Sequence, residues 1–167
     1  MPTTKPFAVN MDEPDPGDKL VNQAIAFVLH SLIAVAAWIA MMLVGYIINP
    51  VSFPQIFTLA LSILIPLIVG LIVARIRPNE MAASVWLAGV IWILSMSLWV
   101  IDMPTGPNEC YDCTPSEKLA RTFFSYPAPS GLLDDNGPFF ATWPAAALVG
   151  YAIGARLAIG RTKEEEA

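Results

Sequence analysis

The chain has 167 residues, of which 56% are hydrophobic and only 14% charged, with a mean hydropathy of +0.59. A water-soluble domain carries charge on about a quarter of its residues, so this composition excludes an ordinary soluble fold and points to an integral membrane protein. The net charge of -5, with no cluster of Lys and Arg, further excludes nucleic acid or an anionic lipid surface as a wholesale partner, because both need concentrated positive charge.

Residues 1–19 read as a disordered tail, acidic and proline-bearing through Met11-Asp12-Glu13-Pro14-Asp15-Pro16-Gly17-Asp18. The first uncharged apolar stretch, 20–48, is long enough to span a membrane and too long to do so upright. Its 29 residues would extend roughly 44 Å against a hydrocarbon core of about 30 Å, so it must tilt or push a turn into the interfacial zone near Asn22 and Gln23. An acidic tail followed by so long a core does not fit a cleaved signal, which has a basic start and an apolar run of about 7 to 15 residues. His30, the single histidine of the chain, falls inside this stretch on a helical stripe with Gln23, Ala26, Ala34, Ala37 and Met41. Its plain reading is a neutral imidazole hydrogen-bonded within the bundle, to Ser62 or Ser95. The functional alternative is an axial ligand to haem or a chlorophyll-type pigment, or a proton-relay group.

Asn49-Pro50-Val51-Ser52 is a turn with Ser52 placed to cap the next helix, and residues 53–74 form the second predicted span. Thr58, Ser62, Pro66, Gly70 and Ala74 repeat every four residues along it. Small side chains at that spacing let two backbones approach, which is how helices associate in lipid; Pro66 should kink the helix and free a carbonyl. Arg77-Pro78-Asn79 closes the second turn with Asn79 as N-cap. The third span covers 81–101, carrying Trp86, Trp92 and Trp99. Trp86 and Trp99, together with Trp143 further on, read as interfacial anchors.

The loop 102–138 holds the only two cysteines, in Asn108-Glu109-Cys110-Tyr111-Asp112-Cys113. In an oxidising compartment Cys110 and Cys113 can close a small disulfide ring that staples the loop. The alternative is a dithiol redox pair, which Glu109, Asp112 and Glu117 oppose by raising thiol pKa values. Zinc is not expected, since a structural site takes four ligands and no further cysteine exists. Thr114-Pro115-Ser116-Glu117 is a capping box with Pro at the first helical position, predicting a short amphipathic helix over 115–124. Leu119, Ala120, Phe123 and Phe124 form its apolar face, and Glu117, Lys118 and Arg121 its charged one. The fourth span, 143–160, repeats the small-residue device with Ala146, Gly150, Gly154 and Ala158, and Arg156 near its end can snorkel to the headgroups. Residues 161–167 form a charged tail.

These elements predict an all-α fold, an integral membrane bundle of four transmembrane helices in up-down order with a structured extracytoplasmic loop. Lys5, Lys19, Arg75, Arg77, Arg156, Arg161 and Lys163, seven of the nine basic residues, fall on one side. Both termini are therefore expected in the cytoplasm, with the loop outside, in a bacterial inner membrane. Four spans with an outer Cys-x-x-Cys superficially resemble the quinone-reducing, disulfide-generating membrane enzymes of the disulfide bond protein B and vitamin K epoxide reductase type. That family needs a second cysteine pair, which this chain lacks, so no family is assigned. With no convergent catalytic set and no cofactor fingerprint, the expected role is a non-catalytic accessory or assembly subunit of a larger membrane complex, or a homo-oligomer. Its partners are then the lipid bilayer and other membrane subunits or itself, and it has no resident cofactor. The rival roles are a thiol-disulfide oxidoreductase using Cys110 and Cys113, and a haem or pigment subunit ligated through His30.

Overall fold

The computed structural model describes residues 16–48, 55–103, 112–124 and 141–165. Its elements are α1 (Pro16–Ile48), α2 (Gln55–Ile76), a 3-10 helix (Glu80–Ser84), α3 (Trp86–Asp102), α4 (Pro115–Phe124) and α5 (Thr142–Glu165), with no strand among the described residues. Four segments are long and apolar enough to cross a membrane: Pro16–Ile47, Ile56–Ile76, Glu80–Asp102 and Thr142–Gly160. This is the make-up of a multi-pass membrane protein.

Helix ends follow local chemistry. The helix α1 takes up residues 16–19, which the sequence assigns to the tail, because Pro16 suits the first helical position and Asp18 complements the positive end of the helix dipole. Asn79 is extended and its side chain accepts from the Met81 backbone N–H at 2.9 Å. This cap starts a 3-10 turn, and Val85, still right-handed helical, carries the chain into α3. The α-helix proper therefore begins at Trp86, five residues later than the apolar run. Pro66 lies inside α2 without ending it. At the other end of the chain α5 continues through Arg161 to Glu165, beyond the apolar segment. The predicted Ser52 cap and its turn lie outside the described residues.

The axis of the fold is α5: 61% of its apolar window is buried, against 17% for α1. Side by side, α2 and α5 touch backbone to backbone. A methyl group built on Gly150 would overlap the Ile63 carbonyl, one on Gly154 the Leu67 carbonyl, and one on Gly70 the Tyr151 carbonyl. Ile63 and Leu67 meet Gly150 and Gly154 in the same order, so α2 and α5 run parallel. Against α5, α3 runs the other way, with Gly89 beside the Ala145 carbonyl and Met96 beside Ala141. The same holds for α1, whose His30 meets Tyr151 and whose Trp38 meets Trp143. Outward faces remain apolar: Leu29 and Leu43 on α1, Leu64 on α2, Leu98 on α3 and Leu157 on α5 are all exposed. Helices that are apolar on every side bury one stripe against each other and are compatible with lipid on the rest.

Candidate functional site

His30 sits at the contact between α1 and α5. Its Nδ1 lies 2.7 Å from the Tyr151 hydroxyl, with ring centroids 5.9 Å apart, and both side chains are buried. Tyrosine O–H donates to Nδ1 in one imidazole tautomer and accepts from Nδ1–H in the other, so the bond survives either assignment. Around the pair, Ala34, Ala74, Ala82, Val85, Ala152 and Ala155 make a wall of mostly small apolar residues. In such surroundings an unmade hydrogen bond would be costly, and the pair meets that cost internally.

The expected serine partners do not take part. Ser62 Oγ donates to the Thr58 carbonyl one turn back on its own helix at 2.8 Å, and Ser95 is exposed on α3. Serine inside a helix readily bonds the carbonyl four residues back, which removes it from interhelical work. The stripe that docks α1 also differs from the one read in sequence: the fully buried residues are His30, Ala34 and Trp38, a strict four-residue series. Trp143, expected as an interfacial anchor, is buried against Trp38 and Ala147, because α1 passes directly over the start of α5. Trp86 and Trp99 are exposed.

At one end of α3 the chain builds a second polar cluster. The Thr114 side chain accepts from the Glu117 backbone N–H at 3.4 Å at the start of α4, and Arg121 pairs with Glu117 at 2.7 Å on the exposed side. The charged face nevertheless differs from the reading above, because Lys118 turns inward. Buried, its Nζ donates to the Met103 carbonyl at 2.5 Å, satisfying an orphan carbonyl at the end of α3. Phe123 and Leu119 pack on Met96 and Ala141, while Ala120 and Phe124 are exposed. Thr142 Oγ1 donates to the Phe123 carbonyl at 2.9 Å, so α4 is tied at one end to α3 and at the other to α5. Cys113, half-buried, precedes α4 directly; Cys110 lies outside the described residues.

Comparison of the chain with protein-family models, with curated proteins and with solved structures finds no match. Among the described residues no group of three or more His, Cys, Asp or Glu is placed to hold a metal ion. Between α1 and α3 an apolar groove of about 230 Å³ runs over Leu148 of α5, walled by Phe27, Val28, Leu32, Val35, Ala88 and Trp92. Ser31 also lines it, but its hydroxyl donates to the Phe27 carbonyl at 2.8 Å.

Gly150, Gly154, Ala158, Ser62, Pro66, Gly70 and Ala74 are buried, and Ala146 is half-buried. Close backbone contact between their two helices occurs within one chain. Sequence reasoning missed Tyr151 and Lys118. The available signal for Tyr151 was a single phenol in an otherwise small-residue helix, flanked by the two glycines that bring backbones together. For Lys118 it was a long basic side chain one turn into a helix that follows the end of a span.

Proposed function

We propose that the protein is a non-catalytic small integral membrane protein that works by assembly, as an accessory subunit of a larger membrane complex or as a homo-oligomer. The observation that carries this reading is the contrast between its faces. Inside, His30 and Tyr151 are spent on each other and two helix backbones touch. Outside, an apolar groove opens between α1 and α3, lined by residues of their apolar segments. Association within lipid uses side-chain packing of this kind, since apolar surface alone gives no driving force there. On this reading the four helices cross a bacterial inner membrane up and down, with both termini cytoplasmic and the loop 102–138 outside.

In that oxidising compartment Cys110 and Cys113 form a structural disulfide. The reading is supported by the absence of any free cysteine among the described residues and by the place of Cys113 at the entry to α4. Alkylation of the untreated protein should leave both thiols unlabelled in every growth condition; a pair that cycles between labelled and unlabelled states would favour a redox role instead. The assembly role is tested on a native gel in mild detergent, where the chain should migrate with larger partners or as a multiple of itself. Migration as a lone monomer would defeat it.

A further inference from the structure

Three observations set α1 apart from the other spans. The first is length: α1 has 33 residues, about 50 Å of helix, whereas α2 has 22, about 33 Å, close to the roughly 30 Å of a hydrocarbon core. The second is attachment. The buried residues of α1, His30, Ala34 and Trp38, and the half-buried Ile33, Val35, Met41 and Met42 packed beside them lie within about 18 Å of helix, while residues 16–25 are exposed throughout and Leu43, Val44, Tyr46 and Ile47 are exposed at the far end. By contrast α2 and α5 approach so closely at Gly70, Gly150 and Gly154 that there is no room for even a methyl group between their backbones. The third is room: an apolar groove of about 230 Å³ lies between α1 and α3, with Leu148 of α5 also lining it.

A helix longer than the bilayer adjusts by tilting, and spans tilt over roughly 0 to 40°. With its neighbours matched to the membrane and locked together, the adjustment falls on α1. We propose that α1 rocks about Ala34 against the α2–α5 pair, with its tilt set by bilayer thickness, so that the width of the groove beside α3 changes with the thickness of the membrane. The small Ala34, wholly buried against Ala82 and Val85, is the pivot; the His30–Tyr151 hydrogen bond, one turn away, keeps α1 in place while its ends swing. This rests on the chain crossing a bilayer and not on what it assembles with, so it stands or falls separately from the assembly role.

The test uses the full chain reconstituted in vesicles of short-, medium- and long-chain monounsaturated phosphatidylcholine. Spin labels are carried on bio-orthogonal side chains at exposed positions, leaving Cys110 and Cys113 untouched. One pair, at Leu20 and Leu157, which lie near the same end of the molecule, reports α1 against α5; a second, at Ile72 and Leu157, reports α2 against α5. Leu20 lies about 21 Å along the helix from Ala34, so a swing of roughly 20° moves it by about 7 Å, mostly across the direction of the helix axes. The expected result is a shift of several ångströms in the first distance between thin and thick bilayers, with the second unchanged. An unchanged first distance overturns the proposal, and so does an equal shift in both, which would mean that the whole molecule deforms.

Discussion

The hydrogen bond between His30 and Tyr151 joins two residues 121 positions apart, and its strength can be read by a double-mutant cycle. Tyr151→Phe removes the hydroxyl and leaves an imidazole nitrogen buried beside a ring; His30→Ala leaves the phenol in the same position. Each should destabilise by about 1 to 3 kcal/mol, the cost of stranding a buried polar group. The double variant should recover a coupling of about 0.5 to 1.5 kcal/mol, as interhelical hydrogen bonds in membranes do. Reversible unfolding in mixed detergent measures it, and a coupling of zero would show that the two groups do not bond. His30 itself was visible in the sequence, since an ionisable residue in an apolar run always needs an explanation. Its partner was not, because the choice among Ser62, Ser95 and Tyr151 depends on how helices are turned about their axes, and periodicity within one helix says nothing of that.

At the scale of elements, the glycines of α5 offer a controlled contrast. Gly154→Ala would drive a methyl into the Leu67 backbone carbonyl, which cannot step aside as a side-chain end can. Gly160→Ala, on the same helix, meets nothing within 4 Å. Overpacking costs about 1 to 3 kcal/mol or more, whereas alanine for glycine in an unobstructed helix stabilises by about 0.5 to 1 kcal/mol. The expected order of thermal stability in detergent is therefore G160A at or above the natural protein and G154A well below it. Equal effects would mean that α2 and α5 do not touch. A second contrast lies in α4: Lys118→Met keeps the length of the side chain but loses the donor to the Met103 carbonyl. Amide exchange over 115–124 should speed several-fold while α2 and α5 stay protected. The start of α4 was legible because a capping box is chemistry between residues three apart. Its buried face was not, since Lys118 would belong with water until the open end of α3 is placed beside it. The four-residue spacings on α2 and α5 were equally plain, but whether they faced each other or another molecule could not be known before the helices were assembled.

For the whole molecule, the number of crossings and the distribution of charge bear on one measurable property. An even number of spans returns a chain to the side from which it started, so if all four apolar helices cross, both ends lie together whatever the tilt of α1. Which side that is follows from Lys and Arg near the span ends. Arg75 and Arg77 close α2, Arg156 and Arg161 lie near the end of α5, and Lys19 opens α1. The parallel course of α2 and α5, and the opposite course of α1, gather these residues at one end of the molecule. Lys118 and Arg121 lie at the other, and each is already engaged, one with the Met103 carbonyl and one with Glu117. Reporter fusions at Met1 and Ala167 should therefore both give the cytoplasmic signal, and a tag placed between Asp102 and Pro138 the external one. Exchanging Arg75 and Arg77 for Gln should weaken this bias and yield a mixed population, because it removes two of the charges that, on the proposed orientation, would hold the α2–α3 turn inside. Fusions reporting opposite sides for the two ends would mean that one of the four apolar helices does not cross, and α1, the longest and least buried, would be the first to re-examine.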